Sequence, residues 1–296
     1  MKKVLLLTVL VSLAFGFSYK PISGCINLKG KEYVVIRSLI NSNKKYYLIV
    51  NEESLNTNFT SQEQNLSRCT NLNSRYFKLL NRSIEPPFPL QNDGITHFSS
   101  GIVLTTDLCP SSKNGFEDRL YNYLFTKLQN PVPITLFITK RWIQKHQIAF
   151  NQLKQWQREG KLDITWGNHT AYHIYHPKLK FSNNFVLSKE ENLPKDILDL
   201  EIELIKNGIT PSIFFRFPGL VSNKKAIEMV KSFGLITIGS NAWIAKGEDV
   251  KSGSIILLHG NKNEPKGVDI FLKNMENNRT FFDIISKNLK DIKWQK

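Results

Sequence analysis

From about residue 98 onward the chain reads as a parallel α/β fold, a sheet or barrel, preceded by a small β-rich unit over residues 18–97. Three observations predict this. Short apolar runs alternate with amphipathic stretches of helical period, the signature of strand–helix–strand units. Polar, reactive residues recur where those apolar runs end, as they do at the carboxyl ends of strands in parallel folds. The preceding segment lacks the alternation and has the β-branched and aromatic bias of strands instead.

The first residues stand outside the globule. Lys2 and Lys3 precede the apolar run Val4 to Phe17, and Ser18, Tyr19 and Lys20 follow. A basic start, a short apolar core and small residues near Ala14 and Gly16 read as a signal peptide over residues 1–17. The run is short for a membrane span, and no later segment is long and apolar enough to be one. Export to the periplasm or the cell exterior is therefore expected, with no transmembrane span in the mature chain. Ile22-Ser23-Gly24-Cys25 resembles a lipoprotein cleavage box, but Lys20 and Pro21 separate it from the apolar core, which argues against lipid attachment at Cys25. Three cysteines suit an oxidising compartment. Cys25 and Cys69 can pair, and spacing does not say which thiol is left over.

In residues 18–97, KEYVVIRSLI and KKYYLIV read as strands joined by the turn NSNK. A polar stretch follows, and the prolines and Asp-Gly of EPPFPLQNDG mark a linker. This unit carries no recognisable chemistry; it docks on the cell wall or packs beside the barrel mouth. In residues 98–296 GIVLTTDL, PITLFIT, LDITW, SIFFRF, LITIG and SGSIILLH read as strands. FEDRLYNYLFTKLQ is helical, with Leu120, Leu124 and Leu128 at helical spacing, as are RWIQKHQIAFNQLKQWQREG, KDILDLEIELIKNG, KKAIEMVKSFG and a last stretch near FFDIISKNLKDI.

The chain has 296 residues, 41% hydrophobic and 22% charged, enough for one large core or two smaller ones. The net charge of +15 is a Lys-rich solvated surface with a lean toward an acidic wall or envelope. There is no dense Lys/Arg block with interleaved aromatics, so nucleic acid is not the expected partner. Nothing reads on oligomeric state.

Asp107 follows GIVLTT, His169 and His173 follow LDITW, Arg216 ends SIFFR, and His259 ends SIILL. Four strands thus deliver a charged or titratable group to one rim. On a turn of helical curvature, positions i and i+4 face the same way, so His169 and His173 can share one divalent ion. An HxxxH pair alone is common; its place after a strand and beside an Asp-bearing strand end makes it a metal signal. His176, before Pro177, reads as a loop residue, His146 as a solvated helix residue, and His97 has no evident role. Cys109 is either a small buried or disulfide-linked residue or a thiolate ligand, the latter favouring zinc.

These residues resemble the polysaccharide deacetylases of carbohydrate esterase family 4, the NodB-homology domain, over roughly residues 98–292. LTTDLCPS stands on the family's T-F-D-D-G-P, GNHTAYH on H-[ST]-x-x-H, and LLHG on Leu-x-His, while FFRFPGL keeps Arg216 and Pro218 of R-x-P-x-G but puts Gly219 and Leu220 where an aromatic and Gly are common. The Asp- and Trp-containing motif is blurred, with Trp243 representing it. The resemblance implies a deformed (β/α) barrel and metal-dependent removal of acetyl groups from N-acetylated sugars in peptidoglycan, chitin or related polymers. It implies His169 and His173 as metal ligands, Asp107 as general base, Arg216 as its partner and His259 as general acid. Gly219 would lie at the oxyanion, and Leu257 and Trp243 at the substrate. The implied cofactor is a divalent ion, zinc above all, with Co, Ni or Mn as alternatives. One departure matters: Leu108 stands where the family has a metal-binding aspartate. Asp107, Cys109 or a water must then complete the site. If none does, the chain is a deacetylase-like protein that binds a glycan or partner without turnover. A related metal hydrolase of another amide or ester is the third reading.

Overall fold

The computed structural model describes residues 17–61 and 65–277, with 282, 283 and 285. The expected signal peptide and the expected last helix fall, almost entirely, outside the described residues. Among the described residues no helix is long and apolar enough to cross a membrane.

The N-terminal unit is an antiparallel meander of β1 (Ser18–Leu28), β2 (Lys31–Asn41), β3 (Lys44–Asn51) and β4 (Thr57–Ser61), in that spatial order. The β2–β3 turn sets Ser42 and Asn43 at φ 49° and 62°, a two-residue hairpin loop with both centres left-handed. β1 is an edge strand whose register shifts between Pro21 and Gly24, and a proline is tolerated there because an edge N–H has no ladder partner to lose. A disulfide joins Cys25 to Cys69, just ahead of helix α1 (Arg75–Arg82). The sulfur of Cys25 is thus taken, which removes it as a lipid attachment point, and Cys109 is the free, buried thiol.

The second part runs β5 (Ile102–Leu108), α2 (Asp118–Lys127), β6 (Val132–Ile138), α3 (Lys140–Lys145), α4 (Gln147–Arg158), β7 (Leu162–Asn168), α5 (Leu193–Lys206), β8 (Phe214–Phe215), α6 (Lys224–Ser232), β9 (Ile236–Thr237), β10 (Ala242–Trp243), β11 (Ser254–His259) and α7 (Pro265–Asn277). Its strands form one parallel sheet, ordered β10-β11-β5-β6-β7-β8-β9, the curled sheet of a deformed (β/α) barrel. The long helix expected over residues 141–160 is two helices, because His146 leaves helical geometry at φ −122°, ψ 47°. α7 was not expected; Pro265 opens it, where a missing N–H costs nothing.

Two cores result. One lies between the sheet's outer face and the helices, where Leu104, Leu108, Leu136 and Leu258 meet Leu120, Trp142, Phe150 and Leu153. The other fuses the two parts: Val34, Ile36, Leu48 and Val50 of the meander pack with Val103, Phe137, Phe214, Ile236 and Ile255 of the barrel sheet. Tyr76 reaches the Gly234 carbonyl and Arg37 the Phe233 carbonyl, both at the entrance to β9. The N-terminal unit therefore sits at the base of the barrel. Packing beside the mouth is corrected: the apolar strand faces find their partner at the opposite end from Asp107 and His259.

Candidate active site and metal centre

Strand alternation decides which residues reach the mouth. In β5, Leu104 and Leu108 join the helix-facing core and Thr106 meets the Tyr121 hydroxyl on that same side. Thr105 and Asp107 face inward, both bonded to Arg216. β11 lies alongside in parallel register, with Leu257 opposite Thr105 and His259 opposite Asp107. Leu108, the residue in the family's ligand position, is thus turned into the apolar core. Cys109, one residue beyond the strand, returns to the site.

Cys109 Sγ lies 3.5 Å from His169 Nε2. Cys109, His169 and His173 each offer one ligand atom within 4.8 Å of the others. Zn–S and Zn–N bonds in tetrahedral geometry hold sulfur and nitrogen about 3.5 Å apart, so the cluster fits a zinc-sized ion. The Nδ1–H of His169 donates to the Arg216 carbonyl at 2.8 Å, which fixes the tautomer and leaves Nε2 with its lone pair toward the cluster. The His169–His173 turn is not helical, as the i,i+4 reading had it. Thr170 and His173 adopt φ 69° and 47°. Asn168 Oδ1 accepts from Thr170 N and Thr170 Oγ1 from His173 N, and these bonds pin the left-handed turn. Burial opposes ionisation of Cys109, yet His173 and His169 hold its thiol well below the usual range.

Arg216 and Asp107 form a buried ion pair, Nη1 to Oδ1 at 2.8 Å. Three further guanidinium hydrogens go to Thr105 Oγ1 and the carbonyls of Ile238 and Gly239. The guanidinium carbon lies over the Phe137 ring, 4.2 Å from its centre. Gly167 makes room for that ring, since a Cβ there would come within 2.7 Å of it. Burial alone would raise the Asp107 carboxyl, but Arg216, with His169 and His259 behind it, holds it below the ordinary carboxylate range. Oδ2 accepts no hydrogen bond among the described residues, and His169 Nε2 stands 3.7 Å from it.

His259 Nδ1 lies 2.7 Å from Glu264 Oε2, a close ion-pair approach rather than an aligned hydrogen bond. Burial disfavours its charged form, but Cys109 and Glu264 hold the imidazolium well above the usual range. The Trp243 indole N–H donates to the same Glu264 oxygen at 2.9 Å, and Lys246 covers one face of the indole. Trp243 thus braces Glu264. Glu264 and Asn261, whose amide donates to the Cys109 carbonyl, carry no motif and were missed. Their only sequence signal is nearness to His259. Leu257 is buried on the inward face of β11. Gly219, at φ 61°, lies against the Phe185 ring, where a Cβ would approach to 2.6 Å. His176 is a loop residue beside Glu190, and among the described residues His97 takes part in a strand bridge and a contact to Thr96.

An inward-facing aspartate held by arginine, two histidines on the next loop but one, and a strand-end histidine thus meet at one rim. Residues 97–238 match the family described as polysaccharide deacetylase. Among solved structures, a family 4 carbohydrate esterase from Bacillus anthracis is 20% identical, with 77% of this chain and 96% of that one covered and a TM-score of 0.49. The family 4 carbohydrate esterase PdaA of Bacillus subtilis is 16% identical, covering 77% and 92%, with a TM-score of 0.48. A family 4 pseudoenzyme, also from Bacillus anthracis, is 13% identical, covering 93% and 91%, with a TM-score of 0.47.

Proposed function

We propose that this protein is a metal-dependent deacetylase that hydrolyses N-acetyl, or O-acetyl, groups on an extracytoplasmic polysaccharide such as peptidoglycan. The observation that carries the reading is the convergence of a thiol–imidazole–imidazole cluster, an Arg-held aspartate and a Glu-backed histidine at one rim. The Cys25–Cys69 disulfide supports an oxidising compartment.

Cys109, His169 and His173 would hold the ion, and a sulfur ligand favours zinc over Mn. Bound there, the ion supplies Lewis acidity and a water of near-neutral pKa. Asp107 Oδ2, the oxygen free of Arg216, accepts the proton of the attacking water. Arg216 keeps that carboxylate ionised and aimed. The Gly219 N–H stands by the developing oxyanion. His259 passes its proton to the amide nitrogen as the C–N bond breaks, so that a neutral amine leaves and acetate remains. Glu264 orients His259, Trp243 braces Glu264, and Leu257 lines the acetyl methyl.

The test is metal analysis together with acetate release from N-acetylglucosamine oligomers. Wild-type protein is expected to hold about one zinc per chain and to release acetate. His169→Ala, His173→Ala and Cys109→Ser should each lose both. The core-facing Leu108 favours a second reading, a binding protein without turnover; no ion and no acetate would favour it and sink the first. An ion without acetate would point to another amide or ester.

A further inference from the structure

The loop after His173 carries an aromatic surface that the proposed reaction does not use. Tyr175, Leu179 and Phe181 are 52%, 46% and 40% exposed, a cluster of apolar side chains of the kind that marks a binding surface. The loop that bears them is built. Asn184 is buried, and its Oδ1 accepts from His176 N at 2.9 Å and Phe185 N at 3.0 Å. Its amide donates to the carbonyls of His176 and Leu179. The next residue, Phe185, adopts φ 52°, a left-handed conformation that a bulky side chain rarely takes. That backbone aims its ring. The ring meets His173 edge-on at 5.7 Å, stacks with Tyr175 at 5.1 Å and touches Phe181 at 5.8 Å. Its far edge rests against Gly219. The exposed rings are therefore continuous with a metal-ligand histidine and with the oxyanion glycine.

We propose that Tyr175 and Phe181, seated on Phe185, form a sugar-binding ledge for a pyranose neighbouring the one deacetylated. The proposal rests on the reading of the substrate as an acetylated polysaccharide. The flat C–H face of a pyranose matches an exposed ring, and its hydroxyls remain in water on the open side. Lys178 and Lys180 flank the ledge, a pattern that an anionic membrane surface would also attract. Contact with His173 and Gly219 favours the glycan, because the ledge is part of the site wall rather than a separate protrusion. Its prior ordering lowers the entropy lost on binding.

The test compares wild type with the double variant Tyr175→Ala/Phe181→Ala, both loaded with zinc. The substrates are N-acetylglucosamine hexamer and p-nitrophenyl acetate. KM for the hexamer is expected to rise about tenfold with kcat nearly unchanged, the loss typical of truncated aromatic anchors. Ester hydrolysis, zinc content and melting temperature should stay at wild-type values. Calorimetric binding of the hexamer should weaken by the same factor. That measurement needs no turnover, so it separates failure of the ledge from failure of the deacetylase reading. Phe181→Tyr should retain binding. Unchanged hexamer affinity in the double variant overturns the proposal, as does an equal fall for ester and hexamer. Wild-type binding to phosphatidylserine vesicles in place of the hexamer, lost in the variant, overturns it in favour of a membrane surface.

Discussion

Arg37 at the base of the barrel and Arg216 at its mouth are both fully buried, and each faces one carboxylate. Arg37 grips Glu201 in a fork, Nε to Oε2 at 2.7 Å and Nη2 to Oε1 at 2.8 Å, and the Tyr19 hydroxyl donates to Oε2 as well. Its remaining donors go to the carbonyls of Ile36 and Phe233. Every oxygen of that pair is occupied, and it ties β1 and β2 to α5. Arg216 instead holds Asp107 through one oxygen, and the second is left for a proton. The same two groups serve as a clamp where both carboxylate oxygens are bonded and, in the proposed reaction, as a base and its holder where one is open.

The comparison is tested most strongly at Asp107. Asp107→Asn should cut acetate release by about 10²–10⁴-fold, the range of a general base, with the fold retained but the unfolding midpoint lowered, because the buried Arg216 loses its counter-charge. Full activity would remove the open-oxygen argument. Glu201→Ala should lower stability alone. It leaves a buried guanidinium unpaired, at a cost of about 3–5 kcal/mol in urea unfolding, with turnover per folded molecule unchanged. Leu108→Asp sharpens the contrast between alignment and strand geometry. It puts a carboxylate into the helix-facing core and should cost about 3 kcal/mol without raising zinc affinity. Cys109→Asp should keep an ion and shift preference toward harder metals such as Mn, read by competition in metal analysis; tighter zinc in Leu108→Asp would reverse the ligand assignment.

The smallest effect is in pH dependence near the mouth. Burial and Asp196 push Glu191 from 4.5 up to about 8. The folded protein then keeps a proton that the unfolded chain loses between those two values. Stability should therefore fall as pH rises through that window and level off above it. Glu191 is partly exposed, so screening leaves on the order of 1 kcal/mol. Unfolding midpoints measured from pH 4 to pH 9 should flatten in Glu191→Gln; an unchanged slope would place the titration elsewhere.

Much of this was legible in the residues. The apolar runs at β2, β3, β5, β6, β7 and β11 were visible because their side chains are buried over most of their length. β8 and β9 were visible as apolar runs but pair over only two residues each. β1 and β4 were hidden by polar residues and a proline, since edge strands show half their surface to water. At the site, Asp107, His169, His173, Arg216 and His259 were readable as strand-end residues. Glu264 was not, because it reaches His259 from outside any strand and only the turn into α7 brings it back. Cys109 stayed undecided because the motif sets Leu108 in the ligand position, while the two-residue period of β5 sends Leu108 away from the site.

By itself the sequence determined the alternation of strands and helices and the set of reactive groups at one rim, because burial period and strand-end position are local properties. Tertiary structure alone decided that the N-terminal meander plugs the base and that Cys25 pairs with Cys69. It alone decided that the thiol of Cys109 stands beside both imidazoles, with the Asp107 carboxylate 3.7 Å from one of them. Those outcomes depend on which distant surfaces meet, and a pair such as Cys109 and His169, 60 residues apart, is brought together only when the sheet curls.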